Sequence, residues 1–194
     1  MRILAIDPGY ERLGIAVLEK LPKQKETLLY SSCVRTAKEL PHAERLLKIA
    51  DGVRKVIDEF EPEACALETL FLAVNQKTVM PVAEARGAVL VEAARAGLRV
   101  YEYSPPQIKI AVTGYGKSDK AQVIEMVKKL ITIPDKQPSS DSEVGVLPLL
   151  RENKSLPPKT ASAPFKKGRI RLDDEYDAIA VGLTCLASER VNNK

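Results

Sequence analysis

"RILAIDPGYERLGIAVLE", residues 2–19, decides how the rest of the chain is read. RILAI is a short apolar run of strand length. DPGYER follows it, with Asp, Pro and Gly as turn residues, and LGIAVLEK resumes the apolar run. The spacing predicts a β-hairpin with Asp7 where the first strand ends. Working outward, TLLYSSCVR (27–35) reads as a third strand. From 41 to 60, Leu46, Ile49, Val53, Ile57 and Phe60 recur at helical spacing. EACALETL (63–70) is a strand carrying Glu68 at its end. Residues 75–97 read as mostly helical, with Pro81 and Gly87 expected to bend or interrupt the helix. LRVYEYSP (98–105) is a fifth strand, and DKAQVIEMVKKL (119–130) a helix with Asp119 as its N-cap. Strands come first and then alternate with helices, which predicts an α/β domain on a mixed five-stranded sheet flanked by helices.

The chain has 194 residues, which suits one domain with a real core. The net charge is only +4, and its distribution is more informative than its size. Between Asp135 and Leu172 eight Lys or Arg stand against four acids, so this segment holds the whole excess. It also contains Pro138, Pro148, Pro157, Pro158 and Pro164. We read about 134–171 as a basic, proline-rich insertion into a single domain spanning 1–194. Such a segment either touches a partner or a nucleic-acid arm, or is a tolerated surface loop. Three widely spaced cysteines (Cys33, Cys65, Cys185) form neither a disulfide framework nor a zinc site, and Cys65 and Cys185 look like small core residues. MRILAID meets an acid too early for a secretory leader, and no run reaches the ~18 apolar residues of a membrane span. The expected setting is a reducing, bacterial-type cytoplasm, with no membrane partner.

Carboxylates recur at the ends of elements. Asp7 and Glu68 close two strands. In RLDDEYDAIAVGL (171–183), Asp174 and Asp177 are three apart and share a helical face, ahead of an apolar run from Ala178. Asp173 and Glu175 are expected on the solvent side. Clustered carboxylates raise one another's pKa unless something positive sits among them. Hard divalent cations such as Mg²⁺, with Mn²⁺ as a substitute, take oxygen ligands. Two such ions would suit in-line hydrolysis of a phosphodiester. Each acid also has a plainer reading: Asp7 as a turn residue, Glu68 as a strand-end charge, and the acids at 173–177 as partners of the helix macrodipole. The single histidine, His42, lies near a helix start and reads as a surface residue.

Four ordered stretches resemble the RuvC family of Holliday-junction resolvases. They are ILAIDPGYERLGIAV, ALETLFLAVN, the long stretch from AEARGAVLVEAARAG through KKLI, and DEYDAIAVGL. The resemblance covers 1–133 and 173–188. It implies an RNase H-like fold and a homodimer on four-way junction DNA, acting with a branch-migration motor complex. It also implies paired nicks leaving 5′-phosphate and 3′-hydroxyl ends. By resemblance Asp7, Glu68, Asp174 and Asp177 are metal-binding acids, while Lys109 and Lys120 are functional lysines. Phe71 falls on an aromatic near the junction centre, although a core aromatic is its plainer reading. The long insertion and the extra acid Asp173 depart from the family pattern.

Four rival readings compete with this one. AVTGYGKS (111–118) nearly matches a phosphate-binding loop, but SPPQIKI before it is a poor strand. DPGYERLGIAV also resembles the first phosphate loop of actin-like kinases, whose fold needs two such domains. A junction-binding protein without chemistry is not supported, because all four acids are present. A related RNase H-like nuclease acting on RNA or other branched DNA is the alternative that stays open.

Overall fold

The computed structural model describes residues 1–70, 76–132 and 173–189. Its elements in chain order are β1 (Arg2–Asp7), β2 (Arg12–Glu19), β3 (Thr27–Arg35), α1 (His42–Phe60), β4 (Ala64–Glu68), α2 (Gln76–Arg95), β5 (Arg99–Tyr103), α3 (Pro105–Thr113), α4 (Lys120–Leu130) and α5 (Asp173–Ser188). The five strands form one mixed sheet in the order β3-β2-β1-β4-β5. β3, β2 and β1 pair antiparallel, whereas β1, β4 and β5 pair parallel. The predicted hairpin, all five strands and the Asp119 cap are present. Asp119 Oδ1 accepts from the backbone N–H of Gln122 at 2.8 Å, and the Gln122 side chain accepts from the backbone N–H of Asp119 at 3.0 Å.

Strand alternation splits the core into two halves. Leu4, Ile6, Leu13, Ile15, Val17, Cys65 and Leu67 pack with α1 and α2. Ile3, Ala5, Ala16, Leu18, Ala64 and Ala66 pack with α3, α4 and α5. The second face is built from small side chains, and α5 lies against it. Every residue of α5 from Ala178 to Leu186 is buried, so this helix is apolar all round rather than on one stripe. Burying Ile179, Val181, Leu183 and Leu186 contributes about 1.5–3 kcal/mol each. That outweighs the roughly 0.3–1 kcal/mol an acid gains at an exposed helix start, so packing and not capping holds α5 in place.

Gly182 sets how close α5 comes to the sheet. A Cβ there would lie 2.6 Å from Leu18 Cδ1 and 3.0 Å from Ala5 Cβ. Gly182→Ala gains up to about 1 kcal/mol in helix propensity. It overpacks the contact by about 1–3 kcal/mol, because Ala5 has no rotamer to move. We expect a net loss of about 1–2 kcal/mol in urea unfolding; an unchanged midpoint would refute the close-approach account.

Two expectations are corrected. α2 runs unbroken through Pro81 and Gly87. Pro81 removes one i→i−4 bond, to the Lys77 carbonyl, yet the helix continues through it. SPPQIKI, read as a poor strand, is indeed no strand: Ser104 caps α3, which starts at Pro105. The Gln107 side chain accepts from the Ser104 backbone N–H at 2.8 Å, and two prolines occupy the first turn, where Pro is tolerated. Glu175, expected on the solvent side, is wholly buried. Cys65 and Cys185 are core residues, as expected. Among the described residues no helix is long and apolar enough to cross a membrane. Phe71 and the 134–171 insertion lie outside the described residues.

Candidate active site

The alternation that divides the core also aims the acids. Residues 3 and 5 of β1, and 64 and 66 of β4, face α5; Asp7 and Glu68 continue those two series. The parallel register pairs Ile6 with Leu67. One step further sets Asp7 beside Glu68 on neighbouring strands, about 4.8 Å apart in backbone spacing. Both acids therefore leave the same end of the sheet on the same face.

Helices complete the site. Asp7, Glu68 and Asp177 line a cavity of ≈ 340 Å³ together with Lys109 of α3 and Lys120 of α4, over an apolar floor that includes Ile108, Val123 and Ala180. Lys120 Nζ donates to Asp177 Oδ2 at 2.9 Å and lies 3.6 Å from Asp173 Oδ2. Asp173 itself is exposed.

Asp174 is not among the cavity's lining residues. It lies on the β2–β3 side, its Oδ2 3.5 Å from Arg12 Nε and 3.9 Å from Cys33 Sγ. The start of α5 thus splays Asp177 into the cavity and Asp174 across β2. His42 opens α1 at the surface, with Nδ1 2.6 Å from the Tyr10 hydroxyl and Nε2 2.9 Å from Glu84.

The electrostatics follow from burial. Asp7 is pushed up to about 8, first by burial and then by Glu68, Asp177 and Asp174, with Lys120 opposing. Glu68 rises to about 7 for burial and Asp177, against Lys109 and Lys120. Burial also raises Asp177, although the Lys120 hydrogen bond works against it. Lys120 is pulled down by burial, but the hydrogen bond and charge of Asp177 prevail and keep it a strong cation.

This has a consequence for stability. An acid with a raised folded pKa holds a proton that the unfolded chain has already released. Asp7 and Glu68 therefore contribute least penalty below about pH 4, and stability falls as pH rises toward about 7 for Glu68 and about 8 for Asp7. In chelator the melting temperature should decline across that window. Added Mg²⁺ should flatten or reverse the decline; a chelator profile rising from pH 5 to 8 would contradict the cluster.

Among the described residues, no three His, Cys, Asp or Glu side chains are arranged to hold a metal ion as they stand. Asp174 is engaged by Arg12 and Asp177 by Lys120. The donor chemistry nevertheless fits a hard divalent cation. The cavity acids offer oxygen ligands only, and burial together with neighbouring carboxylates raises Asp7 and Glu68 by more than the lysines lower them.

A mixed five-stranded sheet delivering acids from its centre and from a buried terminal helix to one cavity defines an RNase H-like nuclease. Solved structures share that fold. Thermus thermophilus RuvC superposes with a TM-score of 0.74 at 30% identity, covering 99% of this chain and 97% of that one. The T. thermophilus RuvC complex with Holliday junction substrate gives 0.75 at 30%, covering 99% and 96%. The yeast mitochondrial Holliday junction resolvase shares the fold at a TM-score of 0.60 and 13% identity, over 98% of this chain and 80% of that one. A sequence profile of crossover junction endodeoxyribonuclease RuvC matches residues 3–144. The RuvC of Thermosipho melanesiensis is 42% identical over 76% of this chain and 92% of its own length. That of Leifsonia xyli is 37% identical over 73% and 68%. The chain belongs to the RuvC family of crossover junction endodeoxyribonucleases. The profile match ends before α5, so Asp174 and Asp177 owe their positions to the fold and not to that alignment.

Proposed function

We propose that the chain resolves four-way DNA junctions in recombination and repair, as a homodimer nicking two strands of like polarity. The observation that carries this is the meeting of Asp7, Glu68 and Asp177 with Lys109 and Lys120 in one cavity. Water attacks the phosphorus and the bond to the 3′ oxygen breaks, giving a 5′-phosphate and a 3′-hydroxyl. Asp7, Glu68 and Asp177 would hold Mg²⁺, two ions per site, joined by Asp174 once it leaves Arg12; Mn²⁺ would substitute. Bound there, such ions would supply activation of the attacking water and stabilisation of the leaving oxygen.

The remaining roles belong to this chain's own side chains. Lys120 carries a fixed positive charge to the phosphate as negative charge grows on it. Lys109, which also lines the cavity, holds the DNA backbone, a contact that positions without reading sequence. Phe71 would stack on an unpaired base near the junction centre. A branch-migration motor as partner and a cytoplasmic setting complete the proposal, supported by the family.

The test offers purified protein a synthetic four-way junction, a matching linear duplex and a structured RNA, with Mg²⁺ and with chelator. Symmetric nicks confined to the junction, absent in chelator, are expected. Equal cutting of the linear duplex would reject the assignment, and preferential cutting of the RNA would favour another RNase H-like activity.

We also propose that the basic 134–171 segment is an insertion in a single domain and touches a DNA arm. Its eight Lys or Arg against four acids support this. Deleting 136–170 should weaken junction binding and lower its salt dependence, since a protein that neutralises fewer phosphates releases fewer counterions. Unchanged affinity and salt slope would make it a plain surface loop.

A further inference from the structure

Glu175 is fully buried, with 0% of its surface exposed. Ser31 of β3, 3% exposed, donates from Oγ to Glu175 Oε2 at 2.7 Å. Two residues along the same strand, on the same face, Cys33 Sγ lies 3.9 Å from Asp174 Oδ2. The strand between them makes these contacts possible. β2 sets Gly14 beside Cys33 and Ala16 beside Ser31. A Cβ on Gly14 would come within 2.0 Å of the Asp174 carbonyl oxygen. The first turn of α5 therefore rests on β2 backbone, and side chains from β3 reach past it to the two acids.

Taking a carboxylate out of water is costly, and an apolar residue of similar volume would suit a buried helix at least as well. Apolar packing alone gives no reason for an acid at position 175. Its position does: it adjoins Asp174 and lies two residues before Asp177. We propose that Glu175, clasped by Ser31, is a positioning residue that fixes the rotation of α5's first turn. Asp177 is thereby directed into the cavity and Asp174 is held beside Asp7 across Gly14. The inference rests on the reading of these acids as metal ligands.

The experiment compares Glu175→Ala, Ser31→Ala and Glu175→Gln with the unaltered chain. Mn²⁺ binding is followed by the electron paramagnetic resonance of the free ion, and the Mg²⁺ dependence of cleavage is measured separately. Glu175→Ala and Ser31→Ala should weaken Mn²⁺ binding by roughly 10–100-fold and raise the half-saturating Mg²⁺. The rate at saturating Mg²⁺ and junction affinity in chelator should change far less. Glu175→Gln keeps an acceptor for Ser31 Oγ and should recover most of the Mn²⁺ affinity. Unchanged Mn²⁺ affinity in both alanine variants, with only a lower melting temperature, would overturn the proposal. Should Glu175→Ala not melt cooperatively, Ser31→Ala decides by the same criterion. Failure of the underlying ligand reading looks different: Asp177→Asn would then bind Mn²⁺ as tightly as the unaltered chain.

Discussion

Asp7→Asn should abolish junction cleavage, by on the order of 10³-fold or more, while leaving junction binding in chelator intact. A loss of that size corresponds to about 4 kcal/mol of transition-state stabilisation. The substitution is nearly isosteric and removes the acid at the centre of the cluster, which feels Glu68, Asp177 and Asp174 at once. The same variant makes a second, opposite prediction. Because the Asp7 carboxyl is held at about 8, ionising it in the folded chain is unfavourable. In chelator the variant should match the unaltered chain only below about pH 4 and become progressively the more stable up to about pH 8, by a few kcal/mol. Mg²⁺ should cancel that advantage. An enzyme made inactive but no more stable at high pH would show that Asp7 is not under charge stress. An active Asp7→Asn would remove the proposed chemistry altogether.

Lys120→Ala is the second large effect, with cleavage falling about 10²–10³-fold. Its ammonium is 2.9 Å from Asp177, and both line the cavity with Asp7 and Glu68. Two losses follow from one change. The growing charge on the phosphate loses its fixed cation. Asp177 also loses the hydrogen bond and charge that oppose its burial, so its pKa rises further. The pH dependence should register this: the ascending limb of the rate profile moves to higher pH in Lys120→Ala. Lys120→Arg keeps the charge but not the compact shape of the ammonium, and should recover activity in part. A loss under tenfold in Lys120→Ala, with the ascending limb unmoved, would assign Lys120 to DNA binding alone.

How far the chain can be read in advance differs from residue to residue. The strand period makes Asp7 and Glu68 legible, because each continues a short apolar run by one position. Asp119 shows itself as a cap through local spacing alone. α3 escapes such a reading because two prolines speak against a strand, whereas in a first helical turn their absent N–H groups cost nothing. Glu175 misleads for the opposite reason. Asp173 is exposed, but Glu175 lies on the side of α5 that meets Ser31 of the sheet, so charge type stops predicting exposure.

The elements and the acids at their ends are therefore legible in the chain alone, since periodicity, turns and caps are short-range properties. Which acids meet was decided by tertiary structure. The parallel register of β1 and β4 sets Asp7 beside Glu68, and Gly14 and Gly182 let α5 lie directly on the sheet. Side chains on β3, more than 140 residues away in sequence, hold its first turn. The physical reason is that a register and a close approach depend on pairs of surfaces, and no single stretch of chain contains both members of a pair.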